Sequence, residues 1–299
     1  MLFLQTISTL PTFQRRFALK ACTSGIVLCT LGFGAPAWAQ PLALSTSINR
    51  AGRLRALSQR LVKAYAQLVL AVLPERSQDV MATTQRLVKA SLAELGRAGF
   101  STEISGFLSI CSADAERLLG LAAGAPAAAR LMDINTAAEQ MLVSADRLTG
   151  ALEGSGKPGT KIINIAGRQR MLSQRMAKAF MLIEAGGDGV RMRRQLGAAR
   201  SEFVLATDAL EASPISTPAI KQDLALARTQ WMFYQSALDG KDKANARRDV
   251  ATTSERILEV MDHLTGLYDA ALRELLGSIA EPGTRHAGEP GSAGMQSVA

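Results

Sequence analysis

Ile48-Asn49-Arg50-Ala51-Gly52-Arg53-Leu54-Arg55-Ala56-Leu57-Ser58-Gln59-Arg60 and Ile163-Asn164-Ile165-Ala166-Gly167-Arg168-Gln169-Arg170-Met171-Leu172-Ser173-Gln174-Arg175 are two versions of one stretch, 115 residues apart. The match continues from Lys63-Ala64-Tyr65 to Lys178-Ala179-Phe180, and a weaker echo at offset 116 pairs Glu139 and Leu148-Thr149-Gly150 with Glu255 and Leu264-Thr265-Gly266. Agreement at both ends of so long a span implies duplication of a whole module, not of a short motif.

Outward from this repeat, apolar residues recur at spacings of three and four, and breaks near Pro74, Gly96 to Ser101 and Gly120 to Pro126 divide the first copy into four stretches. Helices are expected near 43–73, 76–96, 102–121 and 127–152, with the pattern repeated from 161 to 279. Aromatic residues make up only 5% of the chain and β-branched runs are scarce, so helix is favoured over strand. The expected fold is all-α: two tandem antiparallel four-helix modules, residues 40–154 and 155–280, packed as a pseudo-dimer. Gly154-Ser155-Gly156-Lys157-Pro158-Gly159 reads as the joint, and the Gly- and Pro-rich tail 281–299 as disordered.

Residues 1–39 read as a cleavable export signal: basic residues Arg15, Arg16 and Lys20, an apolar run from Ala21 to Trp38, and an Ala37-Trp38-Ala39 cleavage site. Arg15-Arg16-Phe17-Ala18-Leu19-Lys20 resembles a twin-arginine signal, with general secretion as the alternative and an uncleaved anchor as the competing reading of the apolar run. Removing the segment lowers the formal charge from +8 to about +5. Cys111 is then the single cysteine of the mature chain, expected to be buried and inert.

On the first helix Leu44, Ile48, Ala51, Arg55, Ser58, Val62, Tyr65 and Val69 form one seam, which Arg55 interrupts; Ile163, Ala166, Arg170, Ser173, Ala177 and Phe180 form its counterpart. Gly52 and Gly167 stand one turn before each arginine, where a missing side chain permits close approach. If identical faces pack by pseudo-two-fold symmetry, Arg55 and Arg170 meet. Two guanidiniums roughly 6 Å apart repel by about 3 kcal/mol at an effective dielectric of 20, so an anion is expected between them. The planar, paired donors suit a small planar oxyanion. Removing either arginine is then expected to leave the unliganded protein no less stable.

At these residues the chain resembles the periplasmic sensor domains of nitrate/nitrite histidine kinases and the type IV pili methyl-accepting chemotaxis transducer N-terminal (PilJ-type) domain, whose signature reads Asn-x-Ala-Gly-x-x-Arg-Met-x-Ser-x-Arg. The resemblance implies nitrate held between two first helices by paired arginines and nearby backbone. Asn164, Ala166, Gly167, Arg170, Met171, Ser173 and Arg175 match in full; Asn49, Ala51, Gly52, Arg55, Ser58 and Arg60 match in the first copy, where Ala56 replaces the methionine and leaves the cleft asymmetric. The ligand-binding candidates are thus Arg55, Arg170, Gly52 and Gly167, with Asn49, Asn164, Ala51, Ala166, Ser58, Ser173, Arg60 and Arg175 in support.

Arg53, Arg60, Arg168 and Arg175 lie off the seam and are expected to be solvated or paired within their own helix. Asn49 and Asn164 either orient the arginines or bond a neighbouring carbonyl. Trp231, Phe233 and Tyr234 read as a core cluster. No constellation points to an enzyme, a cofactor or a metal site, and export together with dispersed acids disfavours nucleic acid. The function expected is binding or sensing of a small oxyanion, nitrate or nitrite, in the periplasm. The chain would report through a membrane sensor or transporter component, without stable membrane insertion after cleavage. A helical scaffold that binds a partner protein without a small ligand is the alternative. Export is expected to remove residues 1–39; recovery from the membrane fraction with Met1–Ala39 still attached would contradict this.

Overall fold

The computed structural model describes residues 43–156 and 159–280, so the expected export signal and the expected disordered tail lie outside the described residues. Among the described residues the protein is all-α: α1 Leu44–Val69, α2 Pro74–Gly96, α3 Thr102–Leu121, α4 Leu131–Gly154, α5 Thr160–Glu184, α6 Gly189–Glu211, α7 Pro218–Leu238 and α8 Lys243–Ala280. A short 3-10 turn at Ala128–Arg130 precedes α4. No described helix is long and apolar enough to cross a membrane.

The helix starts follow local chemistry. The Ser101, Asp188 and Thr217 side chains accept from the backbone N–H groups of Ile104, Arg191 and Ile220, capping α3, α6 and α7. Pro74 and Pro218 occupy first turns, where no N–H is needed. Gly159 reaches φ +104° immediately before α5, a conformation that suits glycine. Apolar periodicity suggested that α1 would run to residue 73, but Ala71 and Leu73 adopt φ 52° and 45° and end it four residues earlier.

Neighbouring helices pair as α1 with α2, α3 with α4, α5 with α6 and α7 with α8, each turned back by a short connection. α4 also packs on α1, and α8 on α5. The two motif helices, α1 and α5, pack directly against each other. Ala51 and Ala166 are fully buried, and side chains of that size permit a close approach. Because α2, α4, α5 and α8 all touch it, α1 is buried around most of its circumference from Ser45 to Gln67.

Cys111 is buried and its thiol is pushed up to about 11 by burial, as an inert core cysteine should be. Trp231 stacks on Phe203 at 4.7 Å and meets Tyr234 edge-on, but Phe233 departs from the expected cluster. It is 58% exposed, because it follows Met232 on the outward side of α7 while Trp231 and Tyr234 face inward.

Two buried tyrosines, Tyr65 of α1 and Tyr268 of α8, fasten their helices to segments distant in the chain. The Tyr65 hydroxyl accepts from the Ala127 N–H at 2.8 Å, and the Tyr268 hydroxyl donates to the Leu210 carbonyl at 2.9 Å and contacts Ser216 Oγ. Each Tyr→Phe change is expected to cost about 1–3 kcal/mol through an unpaired buried polar group, and the two should add because the sites are separate. Thermal melts followed by circular dichroism test this; two silent variants would show that the hydroxyls bear no load.

Candidate functional site

Each of α1 and α5 carries a fully buried run of Arg, Ser, Gln and Lys, an arrangement tolerable only where partners are supplied. Arg55 and Arg170 are each 1% exposed. Their side chains run back one turn along their own helices, with Nε directed at the Gly52 and Gly167 carbonyls at 3.4 and 3.5 Å. The glycines make this possible. A Cβ built on Gly52 would lie 3.1 Å from Arg55 Nη2 and 3.7 Å from Arg170 Nη2; one on Gly167 would lie 3.2 Å from Arg170 Nη2 and 3.7 Å from Arg55 Nη2. Both guanidiniums therefore converge on the same two glycine faces.

The repulsion between them is met from within the protein, which sequence reasoning did not anticipate. Arg55 Nη1 donates to Asp146 at 2.8 Å and Arg170 Nη1 to Asp262 at 2.5 Å. Asp146 stands on α4 and Asp262 on α8, both part-exposed. Burial pushes both guanidiniums down, Arg170 to about 10, and the aspartates only partly oppose it. The signal that could have found these carboxylates is the offset of 116, which relates Asp146 to Asp262 as it does Glu139 to Glu255.

The supporting residues divide. Asn164 accepts from Arg55 Nη2 through Oδ1 at 2.7 Å, whereas Asn49 offers Arg170 Nη2 its backbone carbonyl at 3.0 Å. Asn164 thus orients an arginine with its side chain, and its Nδ2 donates to Glu153. Ala51 and Ala166 line the contact, while the Ser58 and Ser173 hydroxyls donate to the Arg55 and Arg170 carbonyls of their own helices at 2.8 Å.

The four arginines off the seam are corrected by the structure: they make ion pairs between helices. Arg53 pairs with Asp262, and Arg168 with Asp146 and Glu202. Arg60 pairs with Glu255 and Arg175 with Glu139. A seam drawn on one face missed them because four helices surround α1, so faces other than the one toward α5 also meet a partner.

Two buried clusters complete the network. Lys63 of α1, fully buried, donates to Glu255 and Ser254 of α8, and Arg60 donates to the same Glu255. Lys178 of α5 donates to Glu139 of α4, which also accepts from Arg175. Burial draws both lysines down to about 8 despite their carboxylate partners. Burial alone would raise the Glu255 carboxyl, but Lys63 and Arg60 overcome it and hold it at about 2. No group of three or more His, Cys, Asp or Glu residues among the described residues could hold a metal ion.

Compared with known proteins, residues 155–253 match the family model described as the type IV pili methyl-accepting chemotaxis transducer N-terminal domain, PilJ. The matched stretch takes in α5 to α7 and the start of α8, with Asn164, Gly167 and Arg170, and is similar to a sensory helical domain. No curated protein and no solved structure matches the chain.

The buried clusters set an acid limit. The carboxyl of Glu255 stands at about 2 in the fold against an ordinary 4.5, and Glu139 and Asp262 are shifted the same way. The Glu255 contribution is fully present above pH 4.5 and is lost as pH falls from 4.5 toward 2, and those of Glu139 and Asp262 are likewise lost on acidification. Glu255→Gln is expected to cost about 3–5 kcal/mol at neutral pH by stranding Lys63, and to flatten the melting profile in that acid window. A variant that melts like the wild type at pH 7 would refute the account.

Proposed function

We propose that the chain is a periplasmic binding or sensing module for a small oxyanion, nitrate or nitrite, built as a tandem fusion of two PilJ-like four-helix modules that pack as a pseudo-dimer. The observation that carries this reading is the convergence of the Arg55 and Arg170 Nη2 groups beside Gly52 and Gly167. Planar paired donors of this kind suit a planar anion with several equivalent acceptors.

The pseudo-dimer reading is supported by reciprocity. Arg55 reaches the Asn164 side chain while Arg170 reaches the Asn49 carbonyl, and Arg60 and Lys63 use Glu255 while Arg175 and Lys178 use Glu139. The PilJ match over 155–253 and the motif shared with α1 point to a sensory role. A signal would pass to a membrane sensor or transporter component, through movement of α4 and α8 when the anion competes with Asp146 and Asp262 for the arginines. In this reading the protein is not an enzyme.

A second reading is favoured by those same aspartates: guanidiniums already paired with protein carboxylates can serve as a structural latch, in a scaffold that binds a partner protein and no small anion.

Calorimetric titration of the purified protein with nitrate, nitrite and chloride separates the two. One anion per chain is expected from a shared site, with a nitrate-dependent rise in melting temperature. Arg55→Ala and Arg170→Ala should each weaken nitrate binding roughly ten-fold to a hundred-fold. They should also lower apo stability by about 1–3 kcal/mol, because each strands the hydrogen-bond partners of the lost guanidinium. This reverses the sequence-based expectation of an apo protein no less stable without them. Wild-type nitrate affinity in both variants, or no nitrate binding at all, would leave the latch as the function of the pair.

A further inference from the structure

Beside the seam lies a cavity of about 250 Å³ whose lining includes Ala56, where the first copy departs from the methionine of the second. Ala56 occupies the place that Met171 holds at offset 115, and Met171 is itself buried. The side chain beyond Cβ is missing, and the space is bounded by Ala56 and Leu57 of α1, Leu87 of α2 and Leu258 of α8. Its polar wall comes from Arg53, Arg60 and Arg170, held by Asp262 and Glu255.

Three arginines and the three carboxylates of Glu255, Glu259 and Asp262 line this wall. Asp262 is shared by Arg53 and Arg170, and Glu255 by Arg60 and Lys63, so two cations face each of these two carboxylates. Arg53 and Arg60 both direct Nε and Nη2 at their carboxylates. Nη1 of each makes no protein hydrogen bond among the described residues and remains available as a charged donor. Glu259 lies exposed at the rim, where its carboxylate is free to turn into solvent.

The geometry points to a second binding site, adjoining the seam through Arg170 but with Arg53 and Arg60 as its donors, for a small carboxylate with an apolar body. The carboxylate accepts from Arg53 and Arg60 Nη1, and the body rests on Ala56, Leu57, Leu87 and Leu258. A guanidinium rim over an aliphatic floor selects for this combination: a bare inorganic anion leaves the floor uncovered, and an uncharged apolar molecule leaves the donors unpaired. The volume lies below that of ordinary ligand cavities and favours a small body such as a single ring.

Benzoate is the probe, acetate its size control, and calorimetry on the purified protein the readout. One benzoate per chain is expected, with acetate at least about ten-fold weaker because the apolar contact is lost. Ala56→Met restores the side chain that the second motif carries and should lower benzoate affinity at least about ten-fold while the helical circular dichroism is kept. Arg53→Gln should lower it by about the same factor through loss of a charge-assisted donor. Nitrate titrated into Ala56→Met reports on the seam alone, so failure of one site is distinguishable from failure of the other. The proposal is overturned if millimolar benzoate gives neither heat nor a melting shift, or if Ala56→Met binds it like the wild type. Should Ala56→Met not fold, undiminished affinity in Arg53→Gln overturns it instead.

Discussion

Two guanidinium groups side by side in the middle of a helical protein are the constraint around which the other helices are arranged. Two guanidiniums a few ångströms apart repel by a few kcal/mol, about 3 at roughly 6 Å and an effective dielectric of 20, and removal from water adds a desolvation cost for each. Neither α1 nor α5 can relieve this alone, since both bring only cations, amides and hydroxyls to the contact. Relief comes from α4 and α8, which must approach closely enough to present Asp146 and Asp262. The position of those two helices is thereby fixed by charge as well as by their apolar faces.

The same logic governs the level of Lys63 and Lys178. A buried ammonium without a partner would give up its proton, so Glu255 and Glu139 are needed where they stand. Each comes from the half of the chain that does not contain its lysine. Apolar packing between α1 and α5 would tolerate a small slip along the helix axes; the two lysine–glutamate clusters and the crossed pairs Arg53–Asp262 and Arg168–Asp146 tie the register to particular residues. Against this near-symmetry the exchange of methionine for Ala56 has a disproportionate effect, because the surrounding clusters hold the walls apart and leave the vacated space unfilled.

Much of the architecture was legible in the sequence because it rests on local signals. Pro74, Ser101, Thr217 and Gly159 mark helix ends by their own conformational chemistry, and the α2 to α8 starts fall within a few residues of the punctuation. Arg55 and Arg170 were identified because a charge breaks an apolar seam. What stayed hidden depended on partners distant in the chain. Arg60 is separated from Glu255 by 195 residues, and one helix's periodicity carries no information about what stands opposite a second face. Phe233 was misassigned for a related reason: spacing alone cannot say how wide a helix's buried stripe is, and α7 buries a narrow one.

The crossed pairing of Lys63 with Glu255 also orders events during synthesis. When α1 leaves the ribosome it carries a lysine and an arginine that cannot be buried with their charges intact until residue 255 has been made, nearly the whole length of the described chain later. The closure entropy of so long a loop grows only slowly with its length, so the wait is set by translation more than by the search that follows. Until then the first half has its apolar residues and the Arg55–Asp146 pair but lacks the carboxylate that Arg60 and Lys63 share. A nascent chain of this design is held back from committing to a compact form by the absence of α8.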